Sequence, residues 1–314
     1  MSIHVSLTFH KSSLKKAVKE NMSVSAYVTN SEGNTVSRID VKTNRVVATI
    51  RVGTFPQGVA VSPNGRRVYV ANTQSNSLSV ISTMTNKVIQ NIRVGKNPVG
   101  VAASPNGHRL YVTNAASNTV SVINSHDFKV RHVIRVGINP EMVAVRPDGK
   151  YVYVSNIGSD NVSVIRTATK NVVATIDVGS SPQGIAFSHD SKLAYVANMG
   201  SDTVSVINTA ANRVIHQIKV GKGPIGVTLS RNGKFLIVSN FNSDSVFIVD
   251  TTSLRIVRRI RNNGSAPIGV AMAQAGKLFV VNSAFDNVTL YAVPSGEAIR
   301  VVGVGSQPEF IASG

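Results

Sequence analysis

The tetrapeptide YVTN at Tyr27–Asn30 recurs in closely related forms along almost the whole chain. The later copies read YVAN, YVTN, YVSN, YVAN, IVSN and FVVN, each 42 residues after the last, and begin at Tyr69, Tyr111, Tyr153, Tyr195, Ile237 and Phe279. A second signature, Gly-x-x-Pro, keeps this spacing in all but the sixth copy and begins at Gly53, Gly95, Gly137, Gly179, Gly221, Gly264 and Gly305. The chain therefore contains seven copies of one unit.

Each unit contains four short runs rich in Val, Ile and Tyr. In the second unit these runs are residues 58–61, 68–71, 78–81 and 88–94, and the polar turns SPNG, QSNS and TMTN separate them. Such runs favour β-strands, and four antiparallel strands in a repeat of about 40 to 45 residues are typical of a propeller blade. We predict an all-β fold, a seven-bladed β-propeller with four antiparallel strands per blade.

The ends of the chain predict how the ring closes. Residues 25–52 supply only the second, third and fourth strands of the first blade, whereas Glu309–Ser313 carry the innermost-strand pattern. The C-terminal strand should therefore complete the first blade and remove the open edges of the ring. We assign residues 23–314 to the propeller and residues 1–22 to an N-terminal extension. That extension is either an accessory strand or dimer contact followed by a basic helix, or disordered.

These motifs closely resemble the YVTN family of β-propeller repeats, which occur in archaeal and bacterial surface-layer proteins and related soluble proteins. The resemblance covers roughly Ser25 to Gly314. It implies the propeller fold but no single activity, because propellers host many unrelated functions. The chain has no Trp, which disfavours the related WD-repeat family.

Composition excludes several kinds of site. The chain has no Cys, so disulfides, thiolate zinc sites and a cysteine nucleophile are ruled out. No apolar stretch is long enough for a signal peptide or a membrane span. We therefore expect a cytoplasmic protein, or a secreted or surface protein if a leader has been removed.

Catalytic patterns are scarce. None of the seven His residues falls on a predicted innermost strand, and no P-loop or GxGxxG motif occurs. The Glu-x-His pairing expected of metal-dependent propeller enzymes is also missing. We predict surface histidines, no cofactor, no metal and no assigned catalytic residue.

Two sets of repeated polar residues have an architectural interpretation. The position four residues after each YVTN-type Asn is always Asn or Asp, namely Asn34, Asn76, Asn118, Asp160, Asp202, Asp244 and Asp286. Four carboxylates in a ring could attract a cation, but Asn and Asp also favour turns, where their side chains bond nearby backbone. We favour the turn role, and a structural role for the seven YVTN-type asparagines as well.

The charges predict two different faces. We call the face with the blade-to-blade and second-to-third-strand turns the top face, and the opposite face the bottom face. The net charge is +18, and the bottom turns collect fifteen cations: Arg66, Arg67, Arg109, Lys150, Lys192, Arg231, Lys234, Lys277, Lys42, Arg45, Lys87, Lys129, Lys170, Arg213 and Arg255. Such a surface could bind a polyanion, either nucleic acid or an anionic envelope polymer, or an acidic protein, although solvated turns are the simpler interpretation.

The top face predicts a ligand site near the axis. The residues after the Gly-x-x-Pro prolines include Gln57, Glu141, Gln183 and Glu309, which could converge on a small ligand at the channel mouth. Apolar residues gather in the surrounding top turns, where they are unusual, and comprise Phe55, Ile157, Met199, Phe241 and Phe285.

From the sequence alone, the favoured function is a non-enzymatic binding or scaffolding propeller that uses both faces. The first alternative is a propeller enzyme of the lactonase or lyase type with an axial active site. The second is a structural protein related to surface layers.

Overall fold

The computed structural model describes residues 24–262, 265–273 and 276–314. These residues form seven four-stranded antiparallel sheets, and the innermost strand of each sheet contacts those of its two neighbours in a closed ring. The predicted seven-bladed all-β propeller is confirmed. The helical structure in the described ranges is of the 3₁₀ type and includes three-residue turns at Ala115–Ser117, Ile157–Ser159, Phe241–Ser243 and Ser283–Phe285. No helix in these ranges is long and apolar enough to cross a membrane.

The strands follow the 42-residue repeat. Blade 1 begins the chain with β1 (Ser25–Asn30), β2 (Thr35–Asp40) and β3 (Arg45–Arg51). Blade 2 contains β4 (Pro56–Val61), β5 (Arg67–Asn72), β6 (Ser77–Ser82) and β7 (Lys87–Arg93). Blade 3 contains β8 (Pro98–Ala103), β9 (Arg109–Asn114), β10 (Thr119–Asn124) and β11 (Val130–Arg135). Blade 4 contains β12 (Pro140–Val145), β13 (Tyr151–Asn156), β14 (Asn161–Arg166) and β15 (Asn171–Asp177).

The remaining blades complete the ring in the same order, from the innermost strand outward. Blade 5 contains β16 (Pro182–Phe187), β17 (Leu193–Asn198), β18 (Thr203–Asn208) and β19 (Arg213–Lys219). Blade 6 contains β20 (Pro224–Leu229), β21 (Phe235–Asn240), β22 (Ser245–Asp250) and β23 (Ile256–Arg261). Blade 7 contains β24 (Pro267–Met272), β25 (Lys277–Asn282), β26 (Asn287–Ala292) and β27 (Ala298–Gly303). The last strand, β28 (Pro308–Ser313), returns to blade 1.

The ring closes as the sequence predicts. Strand β28 pairs antiparallel with β1, with Val28 opposite Ile311, and becomes the innermost strand of blade 1. One blade is thus built from both ends of the chain. The predicted N-terminal extension, residues 1–22, lies outside the described residues.

The core lies between blades. Tyr27, Val36 and Ile50 of blade 1 pack with Val68 and Ile81 of blade 2, and equivalent clusters recur around the ring. Burial of these Val, Ile and Tyr side chains is the main favourable contribution to folding. Because each blade buries its apolar faces against its neighbours, the core is serial and can extend through all seven units.

The repeated Asn and Asp residues have the architectural role that the sequence predicts. Side chains four residues after the YVTN-type asparagines lie in left-handed turns, and their Oδ1 atoms accept backbone N–H bonds. The partner is the next blade-to-blade turn rather than the same hairpin: the Phe55 N–H donates to Asn34 over 2.8 Å, and the Gln307 N–H donates to Asp286 over 2.8 Å. These bonds fix the top turns that surround the channel.

Candidate active site

The mouth of the axial channel is bordered by the second residue of each innermost strand. In order from blade 1 to blade 7 these residues are Glu309, Gln57, Val99, Glu141, Gln183, Ile225 and Ile268. We call this set the mouth ring. Val99, Gln183, Ile225 and Ile268 are buried, whereas Gln57, Glu141 and Glu309 keep partial exposure. The polar groups that a ligand could reach in this ring are therefore one amide and two carboxyls.

The two glutamines of the mouth ring are engaged within their own blades. The Thr73 hydroxyl donates to Gln57 Oε1 over 2.9 Å. Gln183 Nε2 lies 3.8 Å from the sulfur of Met199. These contacts hold both amides against the top turns at the border of the site.

Glu309 has one hydroxyl partner. The buried Ser31 Oγ lies 3.4 Å from Glu309 Oε1 and 2.9 Å from the Gln307 carbonyl oxygen, and its single hydrogen can be donated to either acceptor. Burial raises the pKa of Glu309 to about 7, and the Ser31 hydroxyl opposes this rise because it favours the ionised form. Of the two carboxyls in the mouth ring, Glu309 is therefore the one that ionises more easily.

Glu141 has no equivalent of the Ser31 hydroxyl in its own blade. Where blade 1 has Ser31, blade 4 has Ile157, which cannot donate a hydrogen bond, and within the described residues the Glu141 carboxyl accepts none. Burial and, to a smaller extent, the negative charge of Glu309 together raise the pKa of Glu141 to about 7. Blades 1 and 4 are three steps apart in a ring of seven, so the two carboxyls border nearly opposite sides of the mouth.

Two carboxyls with pKa values near neutrality form an acid–base pair. At neutral pH one can hold a proton while the other is ionised, and differences in environment decide which is which. Ser31 favours the ionised Glu309, whereas burial and the negative charge of Glu309 favour the protonated Glu141. Catalytic zinc typically needs three protein ligands, and no three His, Asp or Glu side chains meet in a cluster among residues 24–262, 265–273 and 276–314.

These raised pKa values predict a pH dependence of stability. A folded carboxyl with a pKa near 7 binds its proton more tightly than the unfolded chain does, at 4.5, so the free energy of unfolding falls as pH rises between these values. Glu141→Gln should make the fall between pH 5 and pH 8 smaller by about 1 to 2 kcal/mol. Urea unfolding at both pH values measures this change.

Exposed Glu297 on the bottom face offers the matched control for that measurement. Glu297→Gln should leave the pH dependence as it is in the parent protein. Equal falls in stability for the parent and the Glu141→Gln variant would contradict the burial of Glu141.

The predicted apolar residues of the top face lie in the top turns of blades 4 to 7 and in the turn between blades 1 and 2. Ile157, Met199 and Phe241 are half-buried and begin the top turns of blades 4 to 6, directly after the YVTN-type asparagines. Phe285 is 57 % exposed at the end of the equivalent turn of blade 7. Phe55 lies half-buried in the turn between blades 1 and 2, with a positive φ of 55°.

Met142 and Phe310 are channel residues that sequence reasoning missed. They follow Glu141 and Glu309 directly, and both line the cavity below the mouth ring. A signal was available in the repeat, since the other five copies have glycine at this position: Gly58, Gly100, Gly184, Gly226 and Gly269. The two blades that carry carboxyls at the mouth thus also carry large side chains beneath it.

The bottom-face cations divide into two groups. Arg67 and Arg109 donate to the Ser125 and Thr167 carbonyls of the next blade over 2.6 Å and 2.9 Å, and Lys277 bonds the Val41 carbonyl over 2.9 Å. These three of the predicted polyanion-binding residues tie neighbouring blades together. Lys192 pairs with the exposed Asp190 at 3.5 Å.

The other eleven predicted bottom-face cations form no ion pair within the described part of the chain. All but the half-buried Lys170 are exposed, and they are Arg66, Lys150, Arg231, Lys234, Lys42, Arg45, Lys87, Lys129, Lys170, Arg213 and Arg255. The five described histidines are exposed too, as predicted, and His108 and His126 contact each other at 3.1 Å on this face. His4 and His10 lie outside the described residues.

Two family models match the chain. The family described as "Lactonase, 7-bladed beta-propeller" matches residues 137–299, slightly more than half of the sequence. The family described as "YNCE-like beta-propeller" matches residues 16–109. The comparison with curated proteins gave no match.

Solved structures share the fold at low sequence identity. Hydrazine synthase of Kuenenia stuttgartiensis superposes with a TM-score of 0.74 at 23% identity, covering 82% of this chain and 90% of that one. A functionally unknown protein from Desulfotomaculum acetoxidans gives 0.82 at 16% identity, covering 92% and 98% of the two chains. Dihydro-heme d1 dehydrogenase NirN in complex with DHE gives 0.70 at 16% identity, covering 92% and 74%. At these identities the similarity concerns the fold alone.

Proposed function

We propose, on the premise that the chain belongs to the family described as "Lactonase, 7-bladed beta-propeller", that it hydrolyses a lactone at the mouth of the axial channel. The observation that carries this proposal is the pair of partly buried carboxyls, Glu141 and Glu309, whose pKa values are both raised to about 7. Hydrolysis of a lactone needs a base to activate water and an acid to protonate the leaving oxygen.

The environments of the two carboxyls suggest their roles. Glu309, which the Ser31 hydroxyl stabilises as an anion, accepts a proton from water as the water oxygen bonds to the lactone carbonyl carbon. Glu141, which burial and the charge of Glu309 keep protonated, donates its proton to the ring oxygen as the carbon–oxygen bond breaks. The product is a hydroxy acid, and transfer of one proton from Glu309 to Glu141 restores the starting state.

Catalysis by such a pair needs a pKa near the working pH. An ordinary surface Glu is almost fully ionised at neutral pH and cannot donate a proton, whereas a carboxyl with a pKa of about 7 is present in both forms. The enzyme alternative from the sequence therefore has better support than the scaffold that we first favoured. The structural role suggested by the YVTN resemblance to surface-layer proteins has no such support from the site.

A direct assay tests the proposed function. The purified chain is incubated with five- and six-membered lactones at pH 7, and release of hydroxy acid is followed by pH-stat titration. We expect hydrolysis well above the spontaneous rate, with loss of the excess in Glu141→Gln and Glu309→Gln variants that remain folded. A rate in the parent protein equal to the spontaneous rate for every lactone would overturn the proposal.

A second candidate function rests on the bottom face, where eleven cations lack an ion-pair partner in the described part of the chain. These cations could hold a nucleic acid through its phosphates, in a contact that does not depend on base sequence. Counterions released from the phosphates make such binding weaken as salt rises. This function is independent of the channel mouth, which lies on the opposite face.

Charge-reversal variants test which face of the propeller binds DNA. Lys42→Glu/Lys87→Glu on the bottom face should weaken binding to a fluorescent DNA duplex and reduce the slope of log K against log salt by about 2, since each lost phosphate contact contributes about 0.9. Lys96→Glu/Lys222→Glu on the top face makes the same change in net charge and should leave the slope unchanged. Equal effects of the two double variants in an anisotropy titration would contradict a bottom-face site.

A further inference from the structure

The channel below the mouth ring contains an open cavity of about 170 Å³, which is lined by apolar side chains and by the backbone of four glycines. Its wall takes one Val or Ile from each of the seven innermost strands, for example Val59 of blade 2 and Ile311 of blade 1. The lining contains no charged side chain. Glu141 and Glu309 of the mouth ring immediately precede Met142 and Phe310, which belong to this lining.

The size of this cavity sets what can enter it. A cavity of about 150 Å³ is large enough for a ligand the size of benzene. The axial cavity is slightly larger, so it has room for a group of about four to six carbon atoms. Met142 and Phe310 limit its width, because they occupy the position that is glycine in the other five blades.

The charges at the mouth restrict the rest of the ligand. Glu141 and Glu309 carry negative charge when ionised, and the mouth ring contains no Lys or Arg. A phosphate or carboxylate on the ligand would be repelled at short range and would find no cation in the mouth ring to pair with. An uncharged ligand avoids this cost.

We infer that the substrate is an uncharged lactone with an apolar substituent of about four to six carbons, which enters the axial channel while the lactone ring lies between Glu141 and Glu309. This inference rests on the proposed hydrolytic function. Because the substrate class is inferred from the shape of the cavity, it can be tested by measuring binding, without any catalysis.

The experiment uses two series of compounds with the same substituents. γ-Lactones that carry a methyl, propyl, pentyl or octyl group are assayed for kcat/KM, and the corresponding γ-lactams, which resist hydrolysis, are measured by calorimetry. Both quantities should rise by up to about fourfold per added methylene as the chain fills the cavity, and then level off. A γ-lactone with a carboxylate at the end of its chain should react more slowly than the neutral compound of equal length.

Two variants test whether the apolar substituent of the ligand lies in the axial channel. Met142→Ala widens the channel and should move the plateau to longer chains, whereas Met84→Ala, at a side chain 86 % exposed on the bottom face, should leave it in place. Phe310→Leu is a smaller change at the second bulky position and serves if Met142→Ala does not fold.

Each outcome has one meaning. Lactam binding that rises with chain length, and a plateau that moves in the channel variants, supports the apolar channel even if no lactone is hydrolysed, in which case only the proposed function fails. Hydrolysis and lactam binding that do not depend on chain length, or a plateau unmoved by both channel variants, would overturn this inference and leave the proposed function standing.

Discussion

Glu141→Gln is expected to lower kcat/KM for lactone hydrolysis by about 100- to 10,000-fold, the usual contribution of a positioned general acid. Gln has nearly the shape of Glu but has no proton to donate to the departing ring oxygen. Mouth geometry should persist, because the Glu141 carboxyl accepts no hydrogen bond from the described residues that the variant would break. Steady-state kinetics at pH 7 measures the loss.

The pH dependence of the activity distinguishes the acid role of Glu141 from the base role of Glu309. The base must be ionised and the acid protonated, so activity should rise and then fall with pH, with both limbs near 7, and the two apparent pKa values belong to the pair. Glu141→Gln should remove the alkaline limb from the residual activity, whereas Glu309→Gln should remove the acidic limb.

The control for these variants is Glu297→Gln, which changes an exposed carboxyl on the bottom face. It should have the activity and pH profile of the parent protein. The double variant Glu141→Gln/Glu309→Gln should lose little more than either single variant, because the two groups act as a unit. A full rate in Glu141→Gln would contradict the assignment of the acid.

Removal of the last seven residues, Pro308–Gly314, is expected to abolish the cooperative folded state. This truncation deletes β28, which pairs with β1 and contacts the innermost strands of blades 2 and 7. It exposes the edge of β1 and opens the ring at its axis, where the buried Ile311 contributes to the cluster shared with blade 7. Loss of the sharp thermal transition, followed by circular dichroism, is the expected result.

A synthetic peptide with the sequence of residues 304–314 provides the control for that truncation. Added to the truncated chain, it should restore a cooperative transition whose midpoint rises with peptide concentration. A scrambled peptide should have no effect. A truncated chain that melts cooperatively at the temperature of the parent protein would contradict closure by β28.

The fold was readable from the sequence because the propeller repeats one local pattern. Tyr27 and its six equivalents mark the second strand of each blade, and Gly53 and its equivalents precede each innermost strand. The phase of these signals also predicted that β28 would close blade 1. Each blade makes the same contacts with its neighbours, so local sequence determined most of the architecture.

The candidate site was predictable only where the repeats differ. Glu141 and Glu309 were identified because charged residues replace amide or apolar ones at an axial position. Their electrostatic coupling was not visible, since it joins blades that are distant in sequence and depends on the burial of both groups. The same limit explains why the carbonyl contacts of Arg67, Arg109 and Lys277 were missed: their acceptors lie in the neighbouring blade.

In the proposed site, two carboxyls at the channel mouth each exist in protonated and ionised forms at neutral pH. Carbon-13 NMR of protein labelled at the glutamate side-chain carboxyls measures this directly. The chain has only five Glu residues, Glu20, Glu32, Glu141, Glu297 and Glu309, so single Gln variants assign every signal. We predict that the signals of Glu141 and Glu309 titrate with apparent pKa values of about 7. If the Glu141 and Glu309 signals instead titrate near the ordinary value of about 4.3, the proposed acid–base pair does not exist.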